Sequence, residues 1–495
     1  MKQKNPEERL GEVMSKPASG NPVAGFFRAI GNFFKDFGSA VAKGDWGVKA
    51  SLLISGMGWL KRGQIIKGIL VTLLEIGVIA YELMIGFPYI AKLGTLGTVE
   101  QAMVYNPNTM KNEVNDYDHS LLILLFGVIS LVTLVVAIVL WMANIKAAYE
   151  LQKRAEAGKH INNFKEDISV MMNGKFHITL LFLPIMGIII FNIMPLIVMI
   201  AIAFTNYDQN HMPPAALFTW VGINNFKSLF TSNLTTTFGY AFWKVLGWTL
   251  IWACLATFTT YIGGILLSLL INHKLTRLKK FWRTAFVVAI AIPQFVTLLL
   301  MRSFFANTGL MNKFCEAIGF TGLMQKLGWV STNYIPFLTD PTWAKITIIL
   351  INIWVGVPYL MLIATGVLMN IPEELKESAR IDGANSAQIF RHITMPYMLF
   401  ITGPYLVTQF TANINNFNVI YLLTSGVYVT TDQKLAASNA KEVDLLVTWL
   451  YTLTSGQYNY KMAAVIGIMV FIVCALFTLI AFNYLIKGDK EEAFR

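Results

Sequence analysis

SLLILLFGVISLVTLVVAIVLWMANI, residues 120–145, runs without a single charged side chain. A hydrocarbon core of about 30 Å is crossed by roughly 20 helical residues, so a run of this length and purity is a membrane span rather than a buried helix of a soluble domain. Seven further apolar blocks of similar length lie at about 65–90, 177–204, 243–272, 284–305, 343–370, 396–424 and 461–486. Of the 495 residues, 55% are hydrophobic and only 14% charged, too much apolar surface for one aqueous core. The reading is an all-α integral membrane protein with about eight transmembrane helices.

The formal charge of +11 would suit nucleic acid or anionic lipid, but its distribution follows the membrane. Loops on one side (1–64, 146–176, 273–283, 371–395, 487–495) hold 27 Lys and Arg, and the opposite loops hold seven. Basic residues stay cytoplasmic during insertion, so both termini are expected in the cytoplasm and nucleic acid is not an expected partner. Cys254, Cys315 and Cys474 lack metal or redox spacing and read as small apolar fillers. Residues 1–24 are polar, without the apolar segment of a cleavable signal.

Residues 25–43 (GFFRAIGNFFKDFGSAVAK) repeat Phe26, Phe27, Ile30, Phe33, Phe34 and Phe37 at three- and four-residue spacing, with Arg28, Lys35 and Lys43 elsewhere. This predicts an amphipathic helix lying either on membrane lipid or on the protein's own cytoplasmic face. Residues 46–62 are too short to span and read as an interfacial or re-entrant start to the first helix. Glu75 and Glu82, seven apart in that helix, are expected to pack against polar groups. Lys67, Lys244, Lys345 and Lys461 lie near span ends, where snorkelling explains them; Arg302 lies deeper. No ladder of buried charge runs through later helices, which weighs against an ion-coupled secondary sugar carrier.

The mixed-charge stretch IPEELKESARIDGANSAQIFRHITMP (371–396) separates two late spans. Pro372, Glu373 and Glu374 start a helix that runs to Ile381. Asp382-Gly383 makes a tight turn, and a second short helix, about 385–393, leads to Pro396. Ser378, Ala379, Gly383 and Ala384 give this helix–turn–helix a low profile that a partner's backbone can approach, with Glu377 as a charge at its edge.

The spacing Glu377-Ser378-Ala379, Gly383, Ile393, Met395-Pro396 resembles the EAA loop of binding-protein-dependent ABC importer permeases, with Ser for Ala and Met for Leu as departures. IMPLIVMIAIAFTNYD (193–208), WVGINNFKSLF (220–230), INIWVGVPYLM (351–361), NINNFNVIYLLT (413–424) and EVDLLVTWLYTLT (442–454) extend the likeness. From about residue 177 onward the chain is similar to the larger membrane subunit of maltose/maltodextrin importers. The resemblance implies a type I importer permease core (177–490), preceded by a cytoplasmic segment (1–62) and two spans with their loop (63–176). It implies a coupling loop in which Glu377, Ser378, Ala379, Asp382 and Gly383 meet an ATPase. The implied partners are a second permease subunit, two ATP-hydrolysing subunits that bind ATP and Mg, and an extracytoplasmic sugar-binding protein. The maltose subunit's large outer domain after the third span has only residues 205–242 in its place here.

A sugar site needs amides or hydroxyls and an aromatic face between helices. Asn352, Gly356 and Tyr359 share a helix face, as do Asn413 and Asn416; Gln294 follows Pro293. Their chemistry alone also fits interhelical hydrogen bonding. The resemblance places Asn352, Gly356, Tyr359, Asn413 and Asn416 on sugar-pocket positions, and Gln294 where the family has a serine. No P-loop occurs, so this chain is expected to be a transport subunit of a prokaryotic cell membrane with no ATPase site or cofactor of its own. Maltose and malto-oligosaccharides are the expected cargo, and galacto-oligosaccharides or α-glucosides the alternatives. A membrane scaffold or receptor is the rival outside transport.

Overall fold

The computed structural model describes residues 22–231 and 237–486. The polar run expected up to residue 24 and the basic tail 487–495 fall largely or wholly outside the described residues. The chain divides into two compact units, residues up to Val198 with Pro213–Leu217, and Met199–Met212 with Phe218 onward.

Among the described residues six helices are long and apolar enough to cross a membrane: Ile65–Lys92, Ser120–Glu156, Phe176–Ile202, Phe238–Asn272, Pro341–Met369 and Tyr460–Asn483. The two other expected spans are each broken. Over 284–305 the chain forms Lys279–Ala291 and Gln294–Phe304, because Pro293 forces Ile292 into extended backbone (ψ 126°). Over 396–424 it forms Met395–Ile414 and Phe417–Thr424, the break falling where the Asn416 side chain caps the second piece.

Among the described residues three turns of π-helix interrupt the long helices, at Glu82–Gly86, Ile189–Ile193 and Phe390–Thr394. Each ends two residues before a proline, Pro88, Pro195 and Pro396. Proline has no N–H to donate and its ring crowds the carbonyl four residues back, so a widened turn relieves the clash. This corrects one expectation: the short helix expected over 385–393 does not stop at Pro396. It begins as Ser386–Ile389, widens at Phe390–Thr394 and continues directly into Met395–Ile414.

In the first unit, Pro22–Lys43 is helical, as its periodicity predicts. Residues 46–62 form two short helices, Trp46–Ala50 and Met57–Leu60. Glu75 accepts a hydrogen bond from the Ser55 amide at 2.8 Å, meeting the expectation for that residue. Glu82 does not meet it: it is 3% exposed and neither carboxylate oxygen has a partner among the described residues. The nearby hydroxyls of Tyr81 and Ser130 bond to each other instead, at 3.1 Å. Among the described residues a small hairpin, Met103–Asn106 with Lys111–Val114, departs from the helical pattern.

In the second unit, Phe238–Asn272 and Pro341–Met369 cross at glycines. A Cβ on Gly264 would lie 2.6 Å from Leu360 Cβ, one on Gly263 2.7 Å from a Val357 methyl, and one on Gly356 2.9 Å from the Thr260 methyl. Small residues let membrane helices approach closely, and dispersion rather than water exclusion then holds them. Around this crossing Tyr261, Ile265, Leu360, Ala364, Val367 and Met398 form one buried cluster.

The lysines at span ends do more than reach for water. Lys67 pairs with Asp167 at 3.2 Å, Lys244 with Asp432 at 2.9 Å and Lys461 with Asp208 at 2.5 Å, while Lys345 lies 4.7 Å from the Trp248 ring centre. The segment 425–445 is tied down by Glu442. Its carboxylate accepts from Tyr428 and Thr430 hydroxyls, from the Thr431 amide and hydroxyl, and from the Asp432 amide. Burial pushes this carboxyl up, but the hydrogen bonds outweigh it and hold the group at about 2. Asp444 is buried with fewer donors, and burial raises it to about 6.

The sign for Glu442 follows. A depressed carboxylate stabilises the fold above its ordinary range near 4.5, and that contribution disappears as pH falls toward about 2. Glu442→Gln is expected to lower the unfolding temperature at pH 7, through a loss of roughly 3 kcal/mol at most. Its difference from the native protein should shrink as pH approaches 3. Thermal unfolding of the two proteins over that range checks it, and equal unfolding temperatures at pH 7 would contradict it.

Candidate functional site

The stretch 371–394 owes its shape to three local signals. Pro372 and the acids Glu373 and Glu374 open the helix Glu373–Ile381 at its positive end. Gly383, at φ +83°, closes it. The Ala384 amide donates back to the Ala379 carbonyl at 2.9 Å and the Gly383 amide to the Arg380 carbonyl at 3.1 Å. This is the paired-bond helix ending that requires a left-handed residue, and glycine adopts it without a Cβ penalty. Asn385 then caps the next helix, accepting from the Gln388 amide at 2.9 Å while Gln388 Oε1 accepts from the Asn385 amide at 2.8 Å.

The two helices enclose a shallow groove of about 330 Å³ lined by Ala379, Asp382, Gly383, Ala384, Gln388, Ile389, His392 and Ile393. Glu377, Ser378, Asp382 and Gly383 are exposed and Ala379 half-buried. Three of the five residues expected here therefore line one concavity, and Glu377 and Ser378 stand on the exposed surface of the first helix. Two apolar side chains that the sequence reading passed over are also bare: Ile381 is 86% exposed and Leu375 46%. The signal for the first was an isoleucine interrupting the polar pattern Arg380–Asp382.

The six residues expected to bind sugar fall on four helical pieces. Asn352, Gly356 and Tyr359 occupy Pro341–Met369, with Asn352 and Gly356 half-buried and Tyr359 exposed. Gly356 also serves the helix crossing, through Thr260. Asn413 is 3% exposed; its Nδ2 donates to Thr257 Oγ1 at 2.9 Å, its Oδ1 accepts from Asn416 Nδ2 at 3.3 Å, and its carbonyl accepts from Trp252 Nε1. Asn416 Oδ1 accepts from the Val419 amide. Asn413 and Gly356 thus meet the same helix at Thr257 and Thr260, one turn apart, and Asn413 and Asn416 are joined directly.

The amide of Asn413 is consumed in holding helices together, whereas Asn352 and Tyr359 make no side-chain hydrogen bond among the described residues. Gln294 stands exposed at the start of Gln294–Phe304 and bonds to none of the others. That helix packs through Leu298 in the cluster containing Ile348, Ile351 and Val419. A further polar pair went unread: Tyr405 donates to Gln409 at 3.1 Å, both half-buried and preceding Asn413 on its own helix. Their four-residue spacing was the available signal, hidden by the surrounding apolar block.

Comparison with known proteins reaches the same class. The family described as "Binding-protein-dependent transport system inner membrane component" matches residues 261–488. The chain is 33% identical over 449 residues to the maltodextrin transport system permease protein MalC of Streptococcus pneumoniae, covering 90% of this chain and 97% of that one. It is 32% identical over 443 residues to the galactooligosaccharides transport system permease protein GanP of Bacillus subtilis, covering 89% and 97%. A solved bacterial ABC transporter involved in alginate import has a chain that superposes with TM-score 0.51 at 23% identity, covering 66% of this chain and all of that one, a likeness of fold. The chain belongs to the binding-protein-dependent inner-membrane components, as a multi-pass sugar permease of ABC importers related to the maltose system.

Proposed function

We propose that this permease carries malto-oligosaccharides across the membrane by alternating access, driven by ATP hydrolysis in separate subunits docked on residues 373–394. The observation that carries the reading is the helix–turn–helix with its groove, closed by Gly383. Its second helix runs without a break into Met395–Ile414, so a push on the segment is passed directly to that span. Ala379, Asp382 and Gly383 would receive the ATPase surface, with Glu377 and Ser378 as polar contacts beside it. ATP and Mg belong to those ATPase subunits. A second permease and an extracytoplasmic binding protein complete the assembly.

For the sugar, Asn352 and Tyr359 are assigned as contacts, the amide to hydroxyls and the ring to an apolar sugar face. Gly356 holds this helix against Thr260 beside those contacts, Asn413 and Asn416 fix the neighbouring helix break, and Gln294 is assigned a further contact from the start of Gln294–Phe304. Support for an α-glucan comes from the match to a maltodextrin permease; the match to a galacto-oligosaccharide permease is as extensive and makes that cargo the second reading. Uptake by vesicles holding this chain with its partner permease and ATPase, given a loaded binding protein, separates them. Uptake of maltotriose is expected. Uptake confined to galacto-oligosaccharides would overturn the cargo and keep the machine.

A further inference from the structure

Helix Pro22–Lys43 carries one apolar stripe with two different neighbours. Phe27, Ile30, Phe34, Phe37 and Val41 follow one another at three- and four-residue steps, within an arc of about 80°. The far end of the stripe is packed. Phe37 and Val41 join Ala40, Trp141, Ile145, Ala148 and Tyr149 in one cluster, with the Phe37 and Trp141 rings 5.7 Å apart. The Lys146–Asp36 pair, 2.7 Å, closes the contact from the polar side. Toward the start of the helix the stripe is exposed: Ile30 is 38% exposed and Phe34 56%.

The packed end fixes the depth of the exposed one. Trp141 and Ile145 lie in the last five residues of the 120–145 run, which is followed by Lys146 and, two turns on, by Lys153 and Arg154. An apolar span that ends in tryptophan and then lysine marks the level where hydrocarbon gives way to headgroups. A helix pinned there by Phe37 and continuing with the same stripe keeps Ile30 and Phe34 on the side that faced Trp141. Arg28 and Lys35, both exposed, lie about 80–100° round the helix from the edge of that stripe and about 120–140° from its centre.

We infer that the half of this helix preceding Phe37 is a lipid-binding arm that lies in the surface of the bilayer around the spans. Ile30 and Phe34 insert among the upper acyl carbons, and Arg28 and Lys35 hold the phosphates of anionic phospholipids. Two features commit the surface to lipid rather than protein: the apolar stripe is continuous with an interface already at headgroup depth, and its flanking charge complements an anionic leaflet. The inference needs only that the chain spans a membrane, not that it carries any particular sugar.

The test uses the full chain in nanodiscs, with Cys254, Cys315 and Cys474 changed to serine and a bimane label at Phe34→Cys or, on the polar face, at Asn32→Cys. Spin-labelled lipid is expected to quench the Phe34→Cys label at least twofold more than the Asn32→Cys label, and aqueous iodide to show the reverse. In discs with about 30% phosphatidylglycerol, Arg28→Glu with Lys35→Glu should cut the lipid quenching about twofold, with little change in neutral discs. Equal iodide quenching at both positions would overturn the inference, as would a Phe34→Cys label that neither quencher reaches, which would show the stripe covered by protein. Lipid quenching indifferent to headgroup charge would overturn the role of Arg28 and Lys35.

Discussion

Gly383→Trp is expected to reduce ATP-dependent sugar uptake more than a hundredfold while the chain still inserts and accumulates in the membrane. The size follows from two separate effects. At φ +83° any side chain strains the backbone, by about 1–2 kcal/mol, which loosens the helix ending that holds 373–381 against 386–394. The indole would also occupy or overhang the groove beside Ala379 and Asp382, where the ATPase is proposed to dock. A Cβ on Gly383 meets nothing within 4 Å, so the residue is not packed against the rest of the chain and the fold has no reason to fail. Gly383→Ala separates the effects: it carries the strain without the bulk and should lose uptake by about tenfold or less. Uptake and ATP hydrolysis in the same vesicles check this. Trp and native proteins transporting within a factor of two would remove the groove from the mechanism.

Tyr359→Ala is expected to raise the half-saturating sugar concentration about tenfold, the ~1.4 kcal/mol that one stacked aromatic face contributes, with the unfolding temperature unchanged. The ring is half exposed and forms no hydrogen bond among the described residues, so truncation leaves no orphaned group. Asn413→Ala should behave in the opposite way. It removes the Nδ2 bond to Thr257 and the acceptor for Asn416, so stability falls by about 1–2 kcal/mol and the capacity for transport falls with it. Equilibrium sugar binding and thermal unfolding on both variants separate a contact residue from a structural one. A stability loss in Tyr359→Ala as large as in Asn413→Ala would return Tyr359 to packing.

Much of this was legible before any coordinates. Long uncharged runs have few physical outcomes other than a span, and six of the eight blocks are continuous helices. The turn at Asp382-Gly383 was legible because Asp-Gly is a local turn signal that needs no tertiary context; the Asn385 cap that follows it was not read. The broken helices were harder. Pro293 was visible, but proline also occurs inside unbroken spans here, at Pro184 and Pro358, and local sequence does not reveal which way the surrounding helices force the outcome. The widened turns before Pro88, Pro195 and Pro396 have a rule that emerges only on seeing all three.

The residues expected to bind sugar show the sharper limit. Asn352 and Asn413 carry the same side chain in the same kind of helix. One is left without a hydrogen bond among the described residues, and the other is spent on Thr257. The difference lies in Thr257, more than 150 positions away in the chain, and no spacing within either motif encodes it. Ile381 escaped notice for the converse reason: an exposed isoleucine looks like a buried one until its neighbours are placed.

The most direct test of the whole account is sugar uptake into vesicles that hold this chain, its partner permease and its ATPase, with the ATPase native or disabled in hydrolysis. Uptake that requires hydrolysis, and that Gly383→Trp abolishes, is the predicted result. Uptake that continues with the disabled ATPase, or by this chain alone, would contradict it.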